Sequence, residues 1–198
     1  MTLRIGIDLD NTLVDYTQAF NNYLANSFNC AFPDKISKKS VKKFLYSKGG
    51  DLLWQKCQFE VYSFKVPGAQ TARGLKKFIA EMRGYGEIFI ISHKSNFAAY
   101  DEQKTRNLRS SALDWLKAKS IISPNSIAVE NVFFANTIEE KIKFIANLKI
   151  THFIDDLEQI LSHPSFPIET KRYLFSNLNV PGFTTVNDFT HLVKKIIN

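Results

Sequence analysis

Cysteine is scarce in this chain. Cys30 and Cys57 are the only two in 198 residues, and they do not form a Cys-x-x-Cys pair. A disulfide framework and a thiolate zinc site are therefore disfavoured, and both thiols read as packed or inert side chains. Long hydrophobic runs are missing as well: nothing approaches the ~20 apolar residues of a membrane span. The apolar segment nearest the start, Ile5 to Leu9, is too short for a signal peptide and runs into acids. A cytoplasmic protein without membrane attachment is expected. There is no zinc-finger spacing, no RNP-type aromatic signature and no obvious helix-turn-helix, so the net charge of +7 is weak support for a nucleic-acid partner. Such a charge draws in anionic ligands generally, a phosphorylated metabolite as much as a nucleic acid. What the chain does have is 44% hydrophobic residues, enough at this length for one principal globular domain with room for an insertion.

The stretch Ile5-Gly6-Ile7-Asp8-Leu9-Asp10-Asn11-Thr12 ends an apolar run with two carboxylates one residue apart. On an extended strand residues i and i+2 point the same way, so Asp8 and Asp10 would crowd one side unless the chain turns there. A cation or a proton must relieve such crowding, and a hard divalent ion with oxygen ligands, Mg2+ in particular, is the usual remedy. A third acid is then expected, and Thr151-His152-Phe153-Ile154-Asp155-Asp156 is a second apolar strand ending in a carboxylate pair. In an open, mostly parallel sheet, sites form outside the carboxyl ends of the strands, where two such strands can meet. The spacing points to a metal and phosphate site.

At these residues the chain resembles the haloacid dehalogenase (HAD) superfamily of aspartyl-phosphate phosphohydrolases. Asp8-Leu9-Asp10-Asn11-Thr12 matches the family's first motif, Asp-x-Asp-x-Thr after a hydrophobic strand. Its second motif, a Ser or Thr ending another apolar strand, is supplied by Glu87-Ile88-Phe89-Ile90-Ile91-Ser92; its Lys by Lys141; its acidic pair by Asp155-Asp156. The order is the family's order, and the resemblance runs from about Thr2 to Asn177. It implies a Rossmann-like three-layer α/β core with a mostly parallel sheet.

Between these motifs, the apolar positions Tyr16, Ala19, Phe20, Tyr23 and Leu24 have the spacing of an amphipathic helix, which the segment Asn29 to Lys35, with Pro33, breaks. Ser37 can cap a second helix carrying Val41, Phe44 and Leu45, stopped by Gly49-Gly50; Asp51 can cap a third. Residues 16–66 thus read as a helical insertion after the first strand, with 1–15 and 67–198 as the α/β core. By resemblance the insertion is a C1-type cap, an element placed to fold over a site and exclude water; an ordinary crossover packed on the sheet is the plainer reading. Its Lys35, Lys38, Lys39, Lys42, Lys43 and Lys48 form either a basic rim or, more simply, a solvated helix face.

Further along, Lys104 to Lys119 reads as a helix with Leu108, Ala112, Trp115 and Leu116 inward. Arg106 and Arg109 on it reach a substrate's distal anion or are plain surface. Val129 to Ala135 is the third core strand, Ile150 to Ile154 the fourth, Arg172 to Phe175 an edge strand and Phe189 to Ile197 a closing helix. Thr137-Ile138-Glu139-Glu140 has the form of a capping box, putting Lys141 in the first turns of a helix near the strand ends. Lys143 is its competitor for the Lys role; Ile138, Ile142 and Ile145 mark the buried face that Lys141 flanks.

The resemblance then implies roles. Asp8 is the nucleophile, Asp10 the acid–base, and Lys141 the cation on the phosphoryl oxygens. Thr12 fixes the loop, Ser92 donates to a phosphoryl oxygen, and His93, Lys94 and Ser95 are candidate lining residues. Mg2+ falls to Asp8, Asp10 through its carbonyl, and the acidic pair, with Asp156 the direct ligand and Asp155 the partner of Lys141. An acid two residues after the first favours phosphate-ester cleavage over dehalogenation. The expected activity is Mg2+-dependent hydrolysis of a small phosphorylated metabolite. A nucleotidase or a phosphatase of nucleic-acid ends is the second reading, and a catalytically idle HAD-like binding module the third.

Overall fold

Short apolar strands alternating with amphipathic helices give the element order of the computed structural model, which describes residues 2–30 and 37–197. The break around Pro33 and the cation Lys35 lie outside the described residues. In chain order the elements are β1 (Leu3–Ile7), β2 (Val14–Asp15), α1 (Thr17–Phe28), α2 (Lys38–Tyr62), β3 (Gln70–Thr71), α3 (Leu75–Met82), β4 (Gly86–His93), α4 (Leu108–Ala118), β5 (Val132–Ala135), α5 (Ile138–Asn147), β6 (His152–Asp155), α6 (Glu158–Leu161), β7 (Lys171–Phe175), β8 (Thr184–Val186) and α7 (Leu192–Ile197). Six strands form one sheet in the order β5-β4-β1-β6-β7-β8, with helices on both sides. This is the expected Rossmann-like α/β layering, and its described pairings are all parallel.

Burial on both faces explains the near-continuous apolar character of the central strands. Ile5, Ile7, Phe153 and Ile154 are fully buried. Gly6 allows a close approach: a Cβ there would lie 2.6 Å from the Phe153 ring, so the aromatic packs directly on the β1 backbone. Around Phe153, the side chains of Phe89, Ile91, Ile142, Ile145, Ile160 and Leu174 complete one core cluster, each contributing about 1.5–3 kcal/mol on burial.

Several boundaries differ from the sequence reading, each for a local reason. The helix expected from Lys104 begins at Leu108, because the Asp101 carboxylate accepts the Thr105 and Arg106 N–H groups and holds a turn that competes with helix. Asn107 then caps α4, its Oδ1 accepting the Arg109 and Ser110 N–H groups, so Arg106 stands before the helix. Val129–Asn131 form a 3-10 turn ahead of β5. Arg172 to Phe175 lie in an interior strand, and the edge on that side is the short, polar β8. The break expected at Gly49-Gly50 is present: α2 consists of two helical stretches separated by non-helical backbone at those two residues, with Gly50 at φ 67°.

The chain divides into two compact units, one of residues 1–14, 71–94 and 119–198, the other of 15–70 and 95–118. The first carries the six-stranded sheet. The second contains α1, α2 and α4, so it includes residues 95–118, which lie in the core by the sequence-based division. Its interior is aromatic: Tyr16 meets Tyr62 edge-on at 5.0 Å, Phe20 stacks on Trp54 at 6.2 Å, and Phe64 stacks on Trp115 at 5.4 Å. No helix among the described residues is long and apolar enough to cross a membrane.

Candidate active site

Parallel pairing brings the acidic segments together. The Asp8 N–H donates to the Ile154 carbonyl at 2.9 Å, extending the β1–β6 ladder to the two residues where the carboxylates begin. The chain then turns: Asn11 adopts φ 64°, a left-handed conformation that Asn tolerates better than most side chains. The Leu13 and Val14 N–H groups both donate to the Leu9 carbonyl. This turn relieves the crowding foreseen for Asp8 and Asp10, which go to different partners.

Asp8 goes to Lys141. The Thr137 hydroxyl caps α5 by accepting the Glu140 N–H at 3.1 Å, and the Glu140 carboxylate accepts the N–H of Asn136 at 2.6 Å. This fixes the helix start and places Lys141 one turn in. Its Nζ donates to Asp8 Oδ1 and to Asp155 Oδ2, both at 2.6 Å, with Lys141 only 1% exposed. Asp155 Oδ1 accepts the Leu157 N–H at 2.9 Å. Burial pushes the Asp8 carboxyl well above the usual carboxylate range; Lys141 opposes this, and the Asp155 and Asp156 carboxylates add to it. Burial also acts against the Lys141 charge, but Asp8 and Asp155 outweigh it and hold the ammonium above its ordinary value. One ammonium thus serves two buried carboxylates, leaving surplus negative charge.

Asp8, Asp155 and Asp156 each offer a ligand atom within 4.8 Å of the others. Asp10 is a fourth acid, engaged by Lys94. The all-oxygen ligand set of Asp8, Asp155 and Asp156 fits a hard divalent cation.

Two hydroxyls belong to the same segments: Thr12 follows Asp10 by two residues, and Ser92 lies near the end of a strand adjacent to β1. Thr12 and Ser92 are 0% and 1% exposed, and among the described residues neither Oγ has a hydrogen-bond partner. A buried hydroxyl without a partner costs roughly 1–3 kcal/mol, a cost that a bound oxyanion accepting from it would remove. Ser92 lies near the end of β4, and the pairing of Ile7 with Ile90 puts Asp8 and Ser92 at the same end of adjacent strands. His93 points differently: it is exposed and its Nε2 is 3.0 Å from the Asn136 carbonyl. The structure therefore gathers Asp8, Asp155 and Asp156, with Lys141 bonded to the first two, and pairs the Asp10 carboxylate with Lys94.

Similarity to known proteins follows this geometry. A hydrolase of the haloacid dehalogenase-like family from Streptococcus pneumoniae superposes with TM-score 0.59, covering 98% of each chain at 13% identity. The chain has the haloacid dehalogenase fold. A Clostridium acetobutylicum protein described as a "predicted phosphatase" gives TM-score 0.57 over 100% of this chain and 99% of its own, at 16% identity. The HAD-fold protein YfnB of Bacillus subtilis, in a crystal structure bound to magnesium, gives 0.56 over 98% of each chain, at 12% identity. In sequence, a Bacillus cereus protein bearing the name "Putative nucleotidase" is 24% identical over 213 residues, covering 98% of this chain and 99% of that protein. No family model matches the chain.

Sequence reasoning placed Lys94 beside the site without a role, whereas its Nζ donates to both Asp10 oxygens at 2.8 and 3.0 Å. The available signal was its position two residues after Ser92, on the same side of an extended chain.

Proposed function

We propose that this protein is a phosphomonoester hydrolase acting through an aspartyl-phosphate on Asp8. The observation that carries the proposal is the convergence of Asp8, Asp155 and Asp156 with Lys141 at one end of the sheet. In the first half-reaction an Asp8 oxygen bonds to phosphorus as the ester P–O bond breaks, and the Asp10 carboxyl gives its proton to the departing oxygen. In the second, water bonds to phosphorus, Asp10 takes the water's proton, and the P–O bond to Asp8 breaks to release phosphate and restore the carboxylate. Lys141 offsets charge on the phosphoryl oxygens, while the buried Thr12 and Ser92 hydroxyls donate to them. His93, exposed and next to Ser92, is assigned as a substrate contact. Asp8, Asp156 and the Asp10 carbonyl would hold Mg2+, with Asp155 engaged by Lys141, and the ion supplies charge neutralisation at the transferred group when bound. Residues 16–66 are assigned as the cap on their insertion point in the chain.

The substrate is a small phosphorylated metabolite. A nucleoside monophosphate is the second reading, favoured by the name and full-length coverage of the Bacillus cereus relative and by the net charge of +7. Phosphate release from sugar phosphates, nucleoside monophosphates and phosphorylated oligonucleotides, measured with Mg2+, separates these readings. Asp8→Asn is expected to lose turnover on all of them, by roughly 10⁴-fold or more, with unchanged circular dichroism. Metal-dependent release persisting in that variant contradicts the assignment, and no release from any ester by the wild type would favour an idle binding module.

A further inference from the structure

The pairing of Lys94 with Asp10 calls for its own account. A surface ion pair between a lysine and a carboxylate contributes little, but Lys94 is only 4% exposed. Desolvating its ammonium is costly, and that cost is met here by donation to both oxygens of one carboxylate, at 2.8 and 3.0 Å. The two partners differ in how firmly they are anchored. Lys94 follows directly on β4, and its N–H donates to the Ala135 carbonyl of β5 at 3.1 Å, so its backbone belongs to the sheet. Asp10 sits in the turn that leaves β1, next to the left-handed Asn11, with a side chain 21% exposed. A two-point contact with a sheet-anchored ammonium fixes the orientation of the Asp10 carboxylate.

We propose that Lys94 is a positioning residue for Asp10, holding its carboxyl group where the leaving oxygen departs; this rests on the acid–base role given to Asp10 above. The contact is compatible with both half-reactions. When one Asp10 oxygen carries the proton destined for the ester oxygen, the other still accepts from Lys94. After transfer both oxygens accept, and the carboxylate is already placed to take a proton from water. Lys141, engaged by Asp8 and Asp155, does not duplicate this task.

A positioning role for the proton donor has a signature that a purely structural role lacks: it depends on how much the leaving group needs the proton. An alkoxide requires protonation as it departs, whereas nitrophenolate leaves without it. Wild type, Lys94→Met and Lys94→Arg are compared for kcat/KM, which reports the steps through departure of the leaving group and not the later hydrolysis shared by both esters, on an alkyl phosphate and on nitrophenyl phosphate. Lys94→Met is expected to lose about 10²-fold on the alkyl ester but less than about tenfold on the nitrophenyl ester. Lys94→Arg, which keeps a cation with several donors, is expected to recover most of the alkyl activity. Lys94→Gln, retaining a single donor, serves where Lys94→Met does not fold and is expected to show the same bias to a smaller degree. Equal losses on the two esters, or no loss on either, would overturn the role of Lys94 while leaving the phosphatase reading intact. A wild type that hydrolyses neither ester would overturn both.

Discussion

The end of the sheet and the interior of the second unit are both buried, yet they are built from opposite materials. At the sheet's end Asp8, Lys94, Lys141 and Asp155 are all buried, and the polar contacts among them and Asp10 are short. In the second unit the buried positions are taken by Tyr16, Phe20, Trp54, Phe59 and Trp115, joined by ring contacts. Apolar groups would stabilise the first region at least as well as buried ion pairs do. Its charges therefore point to chemistry, whereas aromatic packing needs no explanation beyond stability.

The largest expected effect comes from leaving the carboxylates without their cation. Lys141→Met exposes Asp8 and Asp155 to each other in a buried site and is expected to destabilise the protein by about 3–5 kcal/mol, read from urea unfolding; Mg2+ should return part of that loss. A change below about 1 kcal/mol would mean the surplus negative charge is not felt. In the aromatic region, Phe20→Ala removes a ring that meets Trp54, Tyr16 and Tyr62. It is expected to cost about 3 kcal/mol in stability, with no dependence on Mg2+. If Mg2+ rescued Phe20→Ala as well as Lys141→Met, the distinction between the two regions would fail.

A smaller effect tests a buried group of the sheet that takes no part in the site. His152 in β6 is 4% exposed and its Nε2 has no partner among the described residues. Burial, with a smaller contribution from Lys171, lowers its pKa from 6.5 to about 4. The folded imidazole therefore stays neutral where the unfolded one takes a proton. Its contribution to stability is complete above pH 6.5 and is lost as pH falls from there toward about 4. Asp8, raised by burial, acts with the opposite sign, so the test is the difference between wild type and His152→Gln across that window. The wild type should lose more stability than the variant, and parallel curves would contradict the assignment.

The sequence showed the acids more readily than their surroundings. Asp8-Leu9-Asp10-Asn11-Thr12, Ser92, Lys141 and Asp155-Asp156 were legible because strand ends and a capping Thr137 make a linear pattern of them, and the sheet layering follows from the alternation of elements. Lys94 and Asp10 lie 84 positions apart, and no local pattern announces a contact at that separation. The start of α4 was misplaced because Asp101 takes backbone N–H groups that helical periodicity assigns to a helix. β8 escaped notice because Thr184–Val186 is too short and polar to alternate, and the interior position of β7 followed from that omission.

The central claim is that Asp8 takes up a phosphoryl group. Acid-quenched protein from a reaction with Mg2+ and a turned-over phosphomonoester, digested and analysed by mass spectrometry, tests it directly. Phosphate on the peptide containing Asp8, absent from the Asp8→Asn protein, is the predicted result. Sustained turnover with phosphate on another residue would contradict it.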